Sequence, residues 1–303
     1  MFKKLAGRKK FALVTIMLLL VTILLPGCGV STESDKSKEN AAGETMSTDV
    51  VVVGSGATGL AAAIQASQLG CKVIMLEQNS ILGGTTNMAE GIAGINDEYA
   101  KSIGIPTYDL VEVLNKAELY HHWVADPELL MKFYENSADT ISWLQKLGVK
   151  FNIVQGMGFK THHTYDGLGK QYVTTLVAAA EQLGVEILTD TSGQELIMQD
   201  GKVAGIKAKA KDDSTLTINA PVVILATGGY SSNTEMITKY AGVDPEKIVY
   251  AGLPGSTNGD GINMALAVGA SDKKITGVIQ YFGALLDGDQ YGTELYNGMV
   301  QPM

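Results

Sequence analysis

Arginine is almost missing from this chain: Arg8 is the only one in 303 residues. Cysteine is nearly as scarce, with Cys28 and Cys71 alone. Such a pair builds no disulfide framework, and no Cys/His run has metal-ligand spacing. Positive charge is also thin, with 23 Lys and Arg against 32 Asp and Glu and a formal charge of −9. Without a basic stripe to neutralise phosphates, nucleic acid is excluded as a partner. Neither a GxxxxGK[ST] phosphate loop nor a GxSxG nucleophile elbow occurs.

What is present begins with an export signal. Lys3, Lys4, Arg8, Lys9 and Lys10 form a basic n-region, followed by the apolar run Phe11–Leu25 and then Pro26-Gly27-Cys28. The run is shorter than the ~20 residues of a spanning helix. Leu25-Pro26-Gly27-Cys28 resembles a bacterial lipobox, which implies a signal peptide over 1–27, acylation of Cys28 and a lipid-anchored protein on the extracytoplasmic face of the membrane. The alternative for the same residues is a plain N-terminal membrane anchor. Arg8-Lys9-Lys10-Phe11 loosely echoes a twin-arginine signal, but with one arginine ordinary secretion is the reading. Losing the five n-region charges takes the formal charge from −9 to −14. Residues 28–47, rich in Ser, Glu, Lys, Asn and Gly, bury too little to offset their ordering entropy and read as a flexible tether.

The fold begins near Thr48. Val50-Val51-Val52-Val53 is an apolar β-branched run, the pattern of a strand buried on both faces. Gly54-Ser55-Gly56-Ala57-Thr58-Gly59 follows at once, then an Ala-rich helix over 60–69 closed by Gly70, and a second strand over 72–76 ending at Glu77. In this β-α-β frame each glycine has a reason. Gly54 permits the tight turn, Gly56 lets a diphosphate approach the backbone, and Gly59 lets the helix pack on the sheet. The helix N-terminus supplies positive potential with no Lys or Arg. Glu77, 18 residues past Gly59, is placed to accept hydrogen bonds from ribose hydroxyls. Together these features predict an α/β chain with a Rossmann-like dinucleotide site on a central parallel sheet.

Farther along, apolar spacing predicts helices between 108 and 147 and over 172–183, and strands over 186–188, 195–198, 203–210, 215–218 and 222–226. Asp200-Gly201 marks a hairpin turn. A short helix is expected over 260–268. His121 and His122 are neighbours on a helix and point to different faces, so they do not chelate one metal. His162 and His163 read as surface loop, with approach of His163 to a flavin or substrate as the alternative.

Three stretches carry a resemblance to a known family. They are Glu77-Gln78 with Leu82-Gly83-Gly84-Thr85-Thr86-Asn87, Ala226-Thr227-Gly228-Gly229-Tyr230 after the strand over 222–226, and Asn258-Gly259-Asp260-Gly261. In these the chain resembles the FAD-binding domain of the fumarate reductase and succinate dehydrogenase flavoproteins, in the branch of flavocytochrome-like fumarate reductases, urocanate reductases and steroid dehydrogenases. The resemblance implies FAD as cofactor, with Gly54, Gly56, Ala57 and Gly59 at the diphosphate and Glu77 and Gln78 at the adenosine ribose. Gly84, Thr85 and Thr86 would lie along the ribityl chain and Gln194 would meet the adenine through its backbone. Thr227, Gly228 and Asp260 would stand toward the flavin. No metal is implied.

The resemblance further implies hydride exchange between flavin and an activated C–C double bond in a small-molecule substrate, with electrons from a donor protein. It assigns 48–280 to the FAD-binding domain and 281–303 to the beginning of a capping domain, cut short at Met303. The family holds its dicarboxylate with arginines, a role suited to a permanently charged bidentate donor, and Arg8 leaves with the signal peptide. Where the family has His-Pro after Ile-Gln, this chain has Ile279-Gln280-Tyr281-Phe282-Gly283. Gln280 and Tyr281 are therefore placed near the substrate or flavin, and no residue is assigned as catalytic. A non-catalytic flavin-binding or electron-carrier lipoprotein stands as the second reading, and a solute-binding lipoprotein as a third.

Overall fold

Val50, Val51, Val52 and Val53 are all buried, and their two faces meet different partners. The computed structural model describes residues 44–156, 158–247, 255–273, 275, 286–287 and 290–291. Its first strands and helix are β1 (Glu44–Ser47), β2 (Val50–Val53), α1 (Ala57–Gln68) and β3 (Val73–Leu76). A small-sheet region follows, with β4 (Gly91–Ala93), α2 (Glu98–Ser102), α3 (Leu110–Tyr120), α4 (Pro127–Lys146), β5 (Phe151–Gln155) and β6 (His162–Tyr165). The remainder comprises α5 (Leu168–Gln182), β7 (Glu186–Leu188), β8 (Ser192–Gln199), β9 (Lys202–Lys209), β10 (Thr215–Asn219), β11 (Val222–Leu225), α6 (Thr234–Met236) and α7 (Asp260–Ala267).

The central sheet runs β11-β2-β3-β7, and every pair in it is parallel. On one face Val50 and Val52 pack with Leu60 and Ile64 of α1, Leu144 of α4 and Leu176 of α5. On the other, Val51 and Val53 pack with Leu196, Ile206 and Ile218 of a second sheet, ordered β1-β10-β9-β8, and with Met264 of α7. Both faces are thus covered, which is why β2 is a continuous apolar run with no polar alternation. Asp200 and Gly201, at φ 51° and 73°, turn β8 into β9 as a two-residue hairpin requires.

The structure moves several expected boundaries. The tether, read as running to Ser47, ends sooner, because Glu44–Ser47 form β1 and pair in parallel with β10. Glu44, Thr45 and Ser47 become ordered there by taking ladder hydrogen bonds at a sheet edge, and Met46 packs against the core. Helix α5 starts at Leu168, four residues before the expected Tyr172. Its Gly169, a poor helix former, is required by contact: a Cβ there would stand 1.8 Å from Thr86 O. His162 and His163 lie on β6 of an antiparallel sheet β4-β6-β5, not in a surface loop. Among the described residues no helix is long and apolar enough to cross a membrane.

Candidate cofactor site

The site forms where β2, β3 and β11 end side by side. Gly54 takes φ +103°, and a Cβ on it would stand 2.4 Å from Ala226 O, so the turn after β2 touches the end of β11 directly. Gly59 is equally constrained, since its Cβ would lie 1.8 Å from Gly54 O. Gly56 differs from both. It has ordinary extended backbone at φ −65°, and a Cβ there would meet only Thr86 Oγ1 at 3.5 Å and Gly83 O at 3.9 Å. Its missing side chain leaves the mouth of α1 bare. Gly56 brings no side-chain cap and no acidic residue stands in the first turn of α1, so the positive end of the helix borders the cavity with only Ala57 N–H engaged, by Thr86 Oγ1.

Glu77 closes the cavity on the β3 side and is 5% exposed. Its Oε2 accepts Ser55 N–H at 3.1 Å and Ser55 Oγ–H at 2.6 Å, and its Oε1 accepts Asn79 N–H at 2.9 Å and Asn79 Nδ2–H at 3.1 Å. Thr86, in the turn Gly84–Met88, accepts Ala57 N–H at 3.0 Å and holds that turn against α1. Gln78 donates to Gly255 O at 2.6 Å. Thr227 Oγ1 accepts Gly261 N–H at 3.1 Å, which fixes the start of α7 and sets Asp260 at the cavity edge. The cavity, open to solvent, has a volume of about 250 Å³, and Gly54, Gly56, Ala57, Glu77 and Gln78 are among the residues that line it. Gly84, Thr85, Thr86, Thr227, Gly228 and Asp260 also line it.

A parallel sheet, a bare helix N-terminus and a carboxylate one strand away describe a dinucleotide site, and comparison with known proteins decides which kind. The family model described as FAD binding domain matches residues 49–280. The chain belongs to the FAD binding domain family. It is 36% identical over 243 residues to a vinyl phenol reductase of Lactiplantibacillus plantarum, covering 78% of this chain and 49% of that protein. It is 34% identical over 230 residues to an NADH:fumarate oxidoreductase of Klebsiella pneumoniae, covering 73% and 24%. Among solved structures, the open conformation of a flavocytochrome c3 fumarate reductase superposes with a TM-score of 0.70 at 26% identity, over 79% of this chain and 46% of that one. The chain thus spans half or less of the length of these relatives.

FAD is the cofactor of this domain, and the residues present fit it. The uncapped helix suits a diphosphate, and the glycine whose Cβ would intrude on the cavity, Gly56, is the one the packing does not demand. Two expected FAD residues do not line the cavity. Gly59 is buried under the turn, where a side chain would strike Gly54, and its part is packing. Gln194 lies on β8 in an adjoining groove of about 670 Å³ toward α7, and its side-chain amide donates back to Ser192 Oγ at 2.7 Å. Ser192, Gly193 and Asp260 border both spaces, so the groove opens beside the cavity. Cys28, Gln280 and Tyr281 fall outside the described residues. No group of three or more His, Cys, Asp or Glu among the described residues could hold a metal.

Sequence reasoning passed over Ser55 and Asn79, the two side chains that grip Glu77, although both sit inside motifs it used. It also passed over Asp97. His163 and Asp97 are completely buried as side chains, with Nε2 and Oδ2 2.9 Å apart, and His163 Nδ1 lies 3.1 Å from Thr161 O. Asp97 Oδ1 caps α2 by accepting Ala100 N–H at 2.9 Å. Burial pushes the Asp97 carboxyl up, but His163 and the Ala100 N–H outweigh it and hold it below the ordinary 3.8. The pair ties β6 to α2 in the small-sheet region.

Proposed function

We propose that this chain is the FAD-holding part of a reductase of activated C–C double bonds, anchored outside the cytoplasm through acylated Cys28. The observation that carries the reading is the bare backbone of Gly56 at the mouth of α1, facing the same cavity as Glu77. Bound FAD supplies the hydride chemistry, and the protein's task is to hold, orient and shield it. The first-turn amides of α1 take the diphosphate, and Glu77 accepts from the adenosine ribose. Thr85 and Thr86 flank the ribityl chain, the backbone near Gln194 meets the adenine, and Asp260 stands toward the flavin. Gln280 and Tyr281 belong to the side of the site that meets substrate.

The substrate is argued from charge. Beyond Arg8 the chain has no guanidinium with which to clamp a dicarboxylate. The vinyl phenol reductase at 36% identity makes an alkene conjugated to an aromatic ring a substrate class to test beside fumarate. A donor protein at the membrane would provide the electrons, and the capping elements that begin near residue 281 would close over the substrate. The purified 303-residue protein should be yellow and carry stoichiometric FAD. With reduced viologen it should give no fumarate reduction, and fumarate turnover by these 303 residues would refute the charge argument. Cys28→Ser should move the protein from the membrane to the soluble fraction, and retention at the membrane would refute the lipid anchor.

A further inference from the structure

One hydroxyl in the cavity wall is not accounted for by the glycine pattern. Ser55 stands between Gly54 and Gly56 and is wholly buried, at 0% exposure. Its Oγ accepts Gly83 N–H at 2.9 Å and lies 2.6 Å from Glu77 Oε2. A hydroxyl carries one proton. Gly83 brings its own, so the Ser55 proton points at the carboxylate, and both directions are fixed. The hydroxyl joins three walls of the cavity: the glycine turn, the end of β3, and the loop that enters the turn Gly84–Met88.

Glu77 is held from both sides. A carboxylate offers about four lone-pair sites, and four N–H or O–H groups point at this one: Ser55 N and Oγ at Oε2, Asn79 N and Nδ2 at Oε1. Two are backbone amides whose positions the turns dictate. Ser55 and Asn79 are the two side chains that set the rotation of the carboxylate, and Ser55 is the buried one. A ribose hydroxyl reaching Glu77 must share an oxygen with one of these donors or displace it, so the donors set how the carboxylate meets the ribose.

We propose that Ser55 is a positioning residue for FAD: through its hydroxyl it orients Glu77 toward the adenosine ribose and keeps the Gly83–Gly84 loop against the glycine turn. The proposal rests on the FAD reading of the cavity. Removing the hydroxyl leaves the Gly83 N–H without its acceptor and takes one of the four donors from Glu77.

The test uses the full chain, stripped of flavin and titrated with FAD, in four forms: wild type, Ser55→Ala, Glu77→Gln and the double variant. Flavin fluorescence reads the dissociation constant and the off-rate, and thermal unfolding of the apo forms reads the fold. Ser55→Ala should weaken FAD roughly 10-fold, chiefly through faster dissociation, because binding must then fix a carboxylate that the hydroxyl no longer holds in place. Because Ser55 acts through Glu77, the double variant should lose less than the product of the two single losses. A purely structural serine would lower apo stability and leave the two binding effects independent. Affinity of Ser55→Ala within twofold of wild type, or multiplicative losses in the double variant, would overturn the proposal. Should Ser55→Ala fail to fold, Asn79→Ala removes one side-chain donor from the other carboxylate oxygen. A several-fold loss is expected there, and an unchanged off-rate would overturn the proposal equally. Wild type that takes up no FAD would sink the cofactor reading itself, an outcome distinct from wild type binding and Ser55→Ala binding alike.

Discussion

Replacing Gly56 by alanine separates cofactor binding from folding. At φ −65° and ψ −176° the backbone is one that alanine adopts without strain. The added Cβ would meet Thr86 Oγ1 at 3.5 Å and Gly83 O at 3.9 Å, ordinary contacts with nothing displaced. The apo protein should keep its stability or gain about 0.4–1 kcal/mol, because alanine has fewer unfolded conformations to lose. Binding should suffer, since the methyl stands where a diphosphate approaches the helix amides. Losing one charge-assisted hydrogen bond and the nearest part of the helix field, about 2–3 kcal/mol together, weakens FAD roughly 30- to 150-fold. The measurement pairs an FAD titration by flavin fluorescence with a urea midpoint on the same apo sample. Two results refute the reasoning: FAD affinity within about twofold of wild type, or an apo protein destabilised beyond ~1 kcal/mol.

Three further outcomes follow from the same structure. Gly59→Ala should do the reverse of Gly56→Ala, because a Cβ 1.8 Å from Gly54 O forces α1 off the sheet; a loss of about 1–3 kcal/mol or more in the apo urea midpoint is expected. His163→Ala leaves the Asp97 carboxylate buried without its ring partner and should cost about 3–5 kcal/mol. The sign with pH is definite: Asp97 has a lowered folded value, so its contribution is present above the ordinary 3.8 and is lost as pH falls through the folded value. The stability gap between wild type and His163→Ala should therefore narrow in acid, and a gap constant from neutrality to pH ~3 would contradict the pairing. Asp126, whose carboxylate accepts Glu128 N–H at 3.1 Å and Leu129 N–H at 3.3 Å, caps α4; Asp126→Ala should lower stability by about 1 kcal/mol with FAD affinity untouched.

Whether a residue could be read from the sequence depended on where its partners lie along the chain. The glycines of the turn were legible because their reasons are local: each is demanded by backbone geometry between one strand and the next helix, and the pattern Gly54-Gly56-Gly59 states that geometry directly. The pattern gives each its own part, and the contacts keep those parts distinct: a Cβ at Gly54 or Gly59 would strike backbone, and one at Gly56 would not. Glu77 was legible as the acid ending β3, but its grip was not, since Ser55 precedes α1 in the chain and carries no signal beyond being a small residue in a small-residue turn. His163 was misread for the same reason in stronger form. Histidine beside histidine among Thr, Tyr, Asp and Gly looks like a polar loop, and the features that bury it, Asp97 on α2 and Ile92 paired across from it on β4, come from elsewhere in the chain. Helix α5 began earlier than expected because Gly167 and Gly169 look like breakers; one caps the helix at φ +93° and the other lets it touch Thr86. In this chain a glycine or a polar pair that contradicts its neighbours' pattern marks a close contact with a distant segment. That is also the argument for Ser55: a buried hydroxyl bonded at once to a carboxylate and to a loop amide is a tertiary instruction, and the instruction it gives concerns the wall that meets the ribose.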